Sequence, residues 1–328
     1  MAYAHAVRRT TKLLPKVVLV CLILANVALV VLLFRPDPSL NAQPAVTASS
    51  ASSTASVNEA PSPSSSISQS GSPEPSVSRK STPSASSVEP SPPQRLLFAM
   101  SENTAWRATV GDCDKPGTLE RSTDGGTSWK RVVRTGLAPI VRLGQTGSDL
   151  YTVGGVGRHC SSRYVAYADG GNVTASTNSP VDVWFPTPAD RDEVNGPGDT
   201  KSRPCNDHII GLASLNLSRA LVVCRNGSTM STANSGKTWR QVMRVPGTLA
   251  VASGDGRYWL AGVTAECEGI TVRSLNVKGS QASQGANRCV PVTEVNPGQV
   301  ALDVSGNAIW VWTGSQVQVS RDRGRSWA

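Results

Sequence analysis

The sequence predicts an all-β domain built from repeated units of about four strands, and three observations support this prediction. An eight-residue pattern of the form [Ser/Thr]-x-[Asp/Asn]-x-Gly-x-[Ser/Thr]-Trp occurs at 122–129, 232–239 and 320–327. Short apolar stretches, each followed by a polar turn and a second strand, recur between these patterns. Cysteines also fall repeatedly at one position of the unit, the end of the second strand. The folded part is therefore a series of similar structural units.

The eight-residue pattern has the composition of a hairpin turn that caps itself. Its third residue can accept hydrogen bonds from backbone N–H groups two residues on, and its glycine adopts a positive φ without steric cost. Its tryptophan is large enough to anchor the turn in a core. The predicted structural positions of the three copies are Ser122, Asp124, Gly126, Trp129, Thr232, Asn234, Gly236, Trp239, Ser320, Asp322, Gly324 and Trp327.

These patterns resemble the Asp-box (BNR) repeat, which marks the outer hairpin of β-propeller blades in sialidases, sortilin-type receptors and the photosystem II assembly-factor family. The resemblance implies a β-propeller, in which blades of four strands surround a central axis. It rests on three short motifs that serve a structural purpose in those families. It therefore implies an architecture and leaves the chemistry open.

The spacing of the first strands indicates how many blades to expect. These strands begin near Leu96, Ile140, Ile209, Leu249 and Val300, which spaces them 44, 69, 40 and 51 residues apart. A four-stranded blade takes about 40–50 residues, which fits all units but the second. We expect about five blades, or six or seven if the long second unit contains a further set of strands. The last unit contains only three strands, so a partner could supply its fourth.

The N-terminal part predicts a membrane anchor. Residues 1–16 form a basic tail without acids, and residues 17–34 carry no charge. That length suits one transmembrane helix of about 20 residues, with the basic tail in the cytoplasm. A cleaved signal peptide would place an apolar stretch at the same position. The long apolar stretch and the bulky Leu40 near the candidate cleavage site favour an uncleaved, single-pass anchor in the plasma membrane.

Residues 35–94 are rich in Ser, Pro, Ala and Thr and poor in large apolar side chains. Such a segment buries too little surface to offset its ordering entropy, so we expect a disordered linker. The extracytoplasmic propeller then occupies residues 95–328. The net charge of +9 includes +5 from residues 1–35 and −1 from residues 36–95, which leaves about +5 for the folded part. This balance does not call for a nucleic-acid partner.

The cysteine count indicates disulfides. Six cysteines lie beyond the predicted anchor, and an even number in an extracytoplasmic domain is typical of disulfide bonding. Of the possible connectivities we favour the pairs nearest along the chain, which are Cys113–Cys160, Cys205–Cys224 and Cys267–Cys289. The sequence contains no C-x-x-C, and beyond the anchor its only histidines are His159 and His208. We therefore expect no metal site and no cofactor.

The segment near 177–206 is the least repeat-like part, and loops that depart from a repeat often carry function. Trp184 and Phe185 could stack on a sugar or pack into the domain, and packing is the favoured interpretation. Asp190 and Asp192 do not match a calcium-binding loop, because Val194 stands at the fifth position. These four residues, Trp184, Phe185, Asp190 and Asp192, form the candidate binding loop.

No catalytic residues are recognisable. The sialidase family would imply three arginines around the substrate carboxylate, a tyrosine activated by a glutamate and an aspartic acid. Its Arg-Ile-Pro signature is absent near the start of the domain, and Arg244-Val245-Pro246 lies in the wrong blade. The tyrosines lack a recognisable glutamate context, and no G-x-S-x-G element supports a Ser-His-Asp triad.

The sequence thus predicts a non-catalytic, membrane-anchored binding or scaffold propeller. It would present a loop face outside the membrane to a protein or an envelope glycan. The alternatives are a sialidase-like hydrolase and a passive structural protein of the envelope. The identity of the partner and the oligomeric state stay open.

Overall fold

The computed structural model describes residues 88–132, 135–168, 171–178 and 180–328. The predicted cytoplasmic tail (1–16), the transmembrane helix (17–34) and most of the linker (35–94) lie outside the described residues. Within the described ranges, no helix is long and apolar enough to cross a membrane.

The described residues form six antiparallel sheets, which are the blades of a propeller. Blade 1 contains β1 (Arg95–Ala99), β2 (Ala105–Thr109), β3 (Thr118–Ser122) and β4 (Lys130–Arg131). Blade 2 contains β5 (Ile140–Thr146), β6 (Asp149–Val156), β7 (Ser161–Tyr167) and β8 (Val173–Thr177). Blade 3 contains β9 (Phe185–Thr187), β10 (Asp190–Gly196) and β11 (Thr200–Ser202).

The second half continues the series. Blade 4 contains β12 (Ile209–Ser214), β13 (Ala220–Cys224), β14 (Ser228–Thr232) and β15 (Arg240–Arg244). Blade 5 contains β16 (Thr248–Gly254), β17 (Arg257–Gly262), β18 (Gly269–Lys278), β19 (Gln281–Gln284) and β20 (Arg288–Pro291). Blade 6 contains β21 (Ala301–Ser305), β22 (Ala308–Thr313) and β23 (Gln316–Ser320). In blade 5, β19 and β20 both pair with β18.

The prediction of about five blades is therefore wrong, and the 69-residue second unit contains the missing blade. The segment proposed as a binding loop folds as β9, β10 and β11. The sequence of this segment shows no strand pattern, because β9 has only three residues and Pro186 is at its centre. β10 reads Asp-Arg-Asp-Glu-Val-Asn-Gly, which lacks the apolar periodicity of a buried strand.

One apolar cluster fills each gap between neighbouring blades. The largest, between blades 5 and 6, contains thirteen buried residues, including Trp259 and Val311. The smallest, between blades 2 and 3, contains only Val141, Val153 and Phe185. Because burial of apolar area is the main stabilising term, the contact between blades 2 and 3 is the weakest part of the ring.

The two faces of the ring differ. We define the disulfide face as the side on which β1 begins, because all three disulfides and most inter-blade connections lie there. We define the hairpin face as the opposite side, where the three eight-residue patterns form hairpins. Backbone hydrogen bonds join these hairpins to the first turn of the same blade, as from Gly125 N to Asn103 O and from Ser235 N to Ser218 O.

The N-terminal segment, residues 88–94, lies on the disulfide face and contacts several blades. Glu89 forms an ion pair with Arg225 of blade 4. The Pro93 carbonyl accepts a hydrogen bond from Arg191 of blade 3 at 2.9 Å. Gln94 N donates to the carbonyl at residue 298, before blade 6, at 2.7 Å. The end of the predicted linker therefore crosses the mouth of the central channel.

Blades 6 and 1 close the ring through side chains as well as packing. Trp310 Nε1 donates to Ser101 O at 3.2 Å, and Ser305 Oγ donates to Met100 O at 3.1 Å. Blade 6 has three strands among the described residues. Ala328 exchanges two backbone hydrogen bonds with Val319, at the position where a fourth strand begins in blades 1 and 4.

Candidate functional site

The three hairpins share one hydrogen-bond pattern. In the first, Gly126 N donates to Ser122 Oγ at 2.9 Å, and Ser128 N donates to Asp124 Oδ1 at 3.0 Å. The Asp or Asn side chain thus accepts a hydrogen bond from the backbone N–H four residues on, whereas the sequence predicted a bond from the N–H two residues on. The hydroxyl at the first position instead accepts the hydrogen bond from the N–H of the glycine, which has a φ of 89° in the first copy.

The other two hairpins repeat this geometry, with Asn234 replacing the aspartate in the second. Hydrogen bonds from the Ser128 hydroxyl and backbone N–H lower the pKa of Asp124 to about 2. The pKa of Asp322 is lowered in the same way, first by the backbone N–H of Ser326. Internal partners occupy these side chains, which gives them a structural task.

The tryptophan of each hairpin packs against the preceding blade. Trp129 meets Trp310 of blade 6 edge-on, with ring centroids 6.5 Å apart. Trp239 meets Trp184 of blade 3 in the same way at 6.0 Å. Trp327 packs against the cluster between blades 5 and 6. Each hairpin therefore reinforces one inter-blade contact, and none reinforces the contact between blades 2 and 3.

The three disulfides are confirmed in the predicted pairing, Cys113–Cys160, Cys205–Cys224 and Cys267–Cys289. The first joins blades 1 and 2, and the other two lie at blades 4 and 5. Asp207 lies beside the Cys205–Cys224 bridge, and ligand-type atoms of these three residues lie within 4.8 Å of one another. The two sulfurs are bonded to each other, so this cluster offers only a carboxylate.

The candidate binding loop is part of blade 3, with its two aromatic residues buried and its two aspartates partly exposed. Trp184 is 3% exposed, and its Nε1 donates to Asn216 O at 3.0 Å. Phe185 is buried in the cluster between blades 2 and 3. Asp190 forms an ion pair with Arg203. Asp192 accepts from Ile209 N at 3.0 Å and contacts His208 Nδ1 at 2.8 Å. The structure thus assigns internal partners to all four residues.

A groove of about 400 Å³ lies beside the weak contact between blades 2 and 3. Its centre is the stacked pair Tyr151 and Tyr164, with ring centroids 5.2 Å apart and planes at 24°. The ring of Tyr151 lies directly over Gly144, where a Cβ would come within 2.3 Å of it. We call this feature the tyrosine groove. Its lining residues are Gln145, Thr146, Tyr151, Tyr164, Thr177, Val181, Asp182 and Val183.

The tyrosine groove combines an aromatic wall with polar groups at its edge. Burial raises the pKa of Tyr164, and the neighbouring Tyr151 and Asp149 raise it further, whereas a hydrogen bond with Thr146 lowers it. The phenol therefore stays protonated at neutral pH and can both donate and accept a hydrogen bond. Asp182 is the one charged residue among the lining residues, so the groove is negative.

The central channel is a second cavity, of about 180 Å³. Its wall is largely apolar, with Asp303 and Arg142 among its polar side chains. Burial raises the pKa of Asp303 to about 7. Hydrogen bonds from the backbone N–H groups of Ala99 and Val304 and the charge of Arg142 lower the pKa and only partly offset the effect of burial. Arg142 donates to Leu212 O at 3.1 Å, which links blades 2 and 4 across the thin blade 3.

Sequence reasoning did not find the tyrosine groove. Neither Tyr151 nor Tyr164 was a candidate site residue, although each lies two residues from a buried apolar residue, Val153 and Ala166 respectively. The cross-strand register of Val153 with Tyr164 brings the rings together, and Asp182 arrives from a connection outside the repeat. The two tyrosines share one sheet face only through this register, which the local pattern of either strand does not reveal.

No family model matches the chain, and no curated protein is significantly similar to it. Among solved structures, it is similar to YCF48 bound to a D1 peptide, with 16% identity and a TM-score of 0.37 over 73% of this chain and 81% of that chain. It is also similar to the six-bladed lectin of the fungus Aleuria aurantia, with 10% identity and a TM-score of 0.45 over 71% and 92%. These similarities are too low to indicate a ligand.

Proposed function

We propose that this protein is a non-catalytic binding propeller, and that the tyrosine groove receives its ligand, a protein or an envelope glycan. The observation that carries the proposal is the stacked pair Tyr151 and Tyr164 in a groove with hydroxyl, amide and carboxylate groups at its edge. An aromatic wall with a few fixed polar groups is the usual composition of a ligand site.

The lining residues of the groove favour binding over hydrolysis. They include no arginine and no glutamate, whereas a sialidase-type reaction would need three arginines and a glutamate beside the tyrosine. The raised pKa of Tyr164 also opposes its ionisation to a nucleophile. A passive structural role would not require a groove with a stacked tyrosine pair, one ring of which lies against Gly144.

The proposed location is outside the plasma membrane, on an anchor at 17–34. Three disulfides support an oxidising compartment, since such bonds are rare in the cytoplasm. Protease treatment of intact cells that produce the tagged full chain tests this proposal. Loss of the C-terminal tag with retention of an N-terminal tag is expected, and protection of the C-terminal tag would contradict it.

The binding proposal is tested with the purified full chain on arrays of envelope glycans and immobilised peptides. The double variant Tyr151→Ala/Tyr164→Ala is expected to lose at least tenfold in affinity for whatever the wild type binds. Leu217→Ala is the matched control, because Leu217 is an exposed apolar residue of blade 4 outside the groove. Equal binding by all three proteins would refute the groove as the site.

A further inference from the structure

The outer edge of blade 2 is unlike the outer edges of the other four-stranded blades. Strand β8 reads Val-Thr-Ala-Ser-Thr, contains no charge, and is exposed at all five positions. The outer strand of blade 1 is Lys130–Arg131, and that of blade 4 begins and ends with arginine. Charged side chains on outer strands prevent pairing with other chains, and β8 lacks this protection.

The open edge of β8 adjoins the tyrosine groove. Thr177 pairs with Tyr164 and Ala175 pairs with Ala166, so both project to the sheet face that carries Tyr151 and Tyr164. Among the described residues, no strand pairs with the other edge of β8. A strand added there would therefore direct alternate side chains to the groove side, past small residues.

Exposed apolar side chains concentrate around this edge. Only three large apolar side chains of the described residues are strongly exposed, and two of them lie near this edge. One is in the groove lining, and the other is on the opposite face of β8, where Val173 pairs with Tyr167. Val173, at the start of β8, is 57% exposed, and Val181, in the groove lining, is 62% exposed. Their proximity to an unprotected strand edge is what a docking surface for an extended chain requires.

The charges near the groove indicate the chemistry of the occupant. Asp182 lines the groove, and Asp149 is close enough to raise the pKa of Tyr164. Both favour a cation over an anion. A lysine or arginine side chain can lie over a tyrosine ring and approach these carboxylates.

We infer that β8 and the tyrosine groove bind an extended segment of a partner protein as an added strand, with a basic side chain of that segment in the groove. This inference rests on the proposed function and specifies its ligand. Backbone hydrogen bonds to β8 supply affinity, and the tyrosines and Asp182 select the basic residue.

The probe for this inference is a displayed library of random heptapeptides, selected on the purified full chain. Enriched peptides are expected to carry a lysine or arginine at a fixed position. Methylation of alternate backbone nitrogens of such a peptide is expected to weaken binding at least tenfold, because it removes donors to the strand edge. This measurement leaves the protein unchanged, so it does not depend on the folding of a variant.

Protein variants then locate the site. Ala175→Lys places a charge on the groove side of β8 and is expected to reduce binding of the selected peptide at least tenfold. Gln241→Lys, which adds the same charge to the outer strand of blade 4, is the matched control and should bind normally. Asp182→Asn should weaken the binding of peptides that carry the basic residue more than the binding of the same peptides with glutamine at that position.

The outcomes separate the two proposals. Glycan binding that depends on Tyr164, without enriched peptides, would retain the proposed function and overturn the added strand. Peptide binding unaffected by backbone methylation or by Ala175→Lys would also overturn it. A dimer of the full chain that Ala175→Lys dissociates would make a second copy the occupant. Absence of any groove-dependent ligand would overturn both proposals.

Discussion

The contact between blades 3 and 4 and the contact between blades 2 and 3 show two ways of building the same ring. Blade 4 has a hairpin whose Trp239 packs on Trp184 of blade 3, and its outer strand carries arginines. The contact between blades 2 and 3 has no such hairpin and buries only three core residues. There the available space holds a groove with partly exposed tyrosines.

This difference indicates where the propeller can accommodate a ligand. At three contacts, the tryptophan of a regular hairpin packs between two blades. At the contact between blades 2 and 3, which has no hairpin and the smallest buried cluster, aromatic side chains remain partly accessible and a strand edge stays open. Regularity in this chain therefore marks stability, and departure from the repeat marks the candidate site.

The largest effect is expected from Trp184→Ala, which tests whether blade 3 is an integral blade. Trp184 is 3% exposed and packs against Trp239. Its loss should lower the free energy of unfolding by about 5 kcal/mol, the upper end for a buried aromatic. Trp129→Ala removes a half-buried hairpin tryptophan and should lower the free energy of unfolding by less than Trp184→Ala. Urea unfolding of the purified full chain measures both, and a smaller effect at Trp184 would show that blade 3 is peripheral.

Removal of the Cys113–Cys160 bridge tests how strongly blades 1 and 2 depend on a covalent link. The two cysteines are 47 residues apart, so Cys113→Ser/Cys160→Ser should cost about 4 kcal/mol through loop entropy. The Cys205–Cys224 pair, 19 residues apart, should cost about 3 kcal/mol. Thermal unfolding of the two double variants compares them. The reverse order would mean that loop length does not determine the stabilisation.

Asp303, in the wall of the central channel, should make the stability of the propeller depend on pH. Its pKa is about 7 in the fold and 3.8 in the unfolded chain, so the folded state binds the proton more tightly. The contribution of Asp303 to the free energy of unfolding should therefore be greatest below pH 4, fall by about 2–4 kcal/mol up to pH 7, and stay nearly level above it.

Asp303→Asn provides the reference for this prediction, because asparagine can accept the hydrogen bond from Ala99 N without ionising. The difference in unfolding free energy between wild type and Asp303→Asn isolates the contribution of this carboxyl from other titrating groups. A difference that is constant between pH 4 and pH 7 would show that Asp303 is solvated as in the unfolded chain.

The smallest effect is expected from a hairpin polar group. Asn234→Ala removes the acceptor for Thr238 N and for the Thr232 hydroxyl, and should cost about 1 kcal/mol. Asn234→Asp should be nearly neutral, because aspartate occupies this position in the other two hairpins. Thermal melting distinguishes the two variants. Equal melting temperatures for alanine and wild type would assign the hairpin's stability to its glycine and tryptophan.

The sequence predicted those features whose causes are local. The hairpins follow from side chains within eight residues, and the disulfide pairs join cysteines that are neighbours along the chain. Blade 3 was missed because its strands are short and charged, and because its burial depends on Trp239 and Val153 from other blades. The tyrosine groove depends on the register of β6 with β7 and on Asp182, none of which is visible in a local pattern.

The N-terminal segment has a consequence for how the domain responds to mechanical load. Tension on the chain ahead of residue 88 must first break the ion pair of Glu89 with Arg225 and the hydrogen bonds at Pro93 and Gln94. Because these contacts follow one another along the segment, they break in turn and lengthen the chain before β1 is pulled from its sheet.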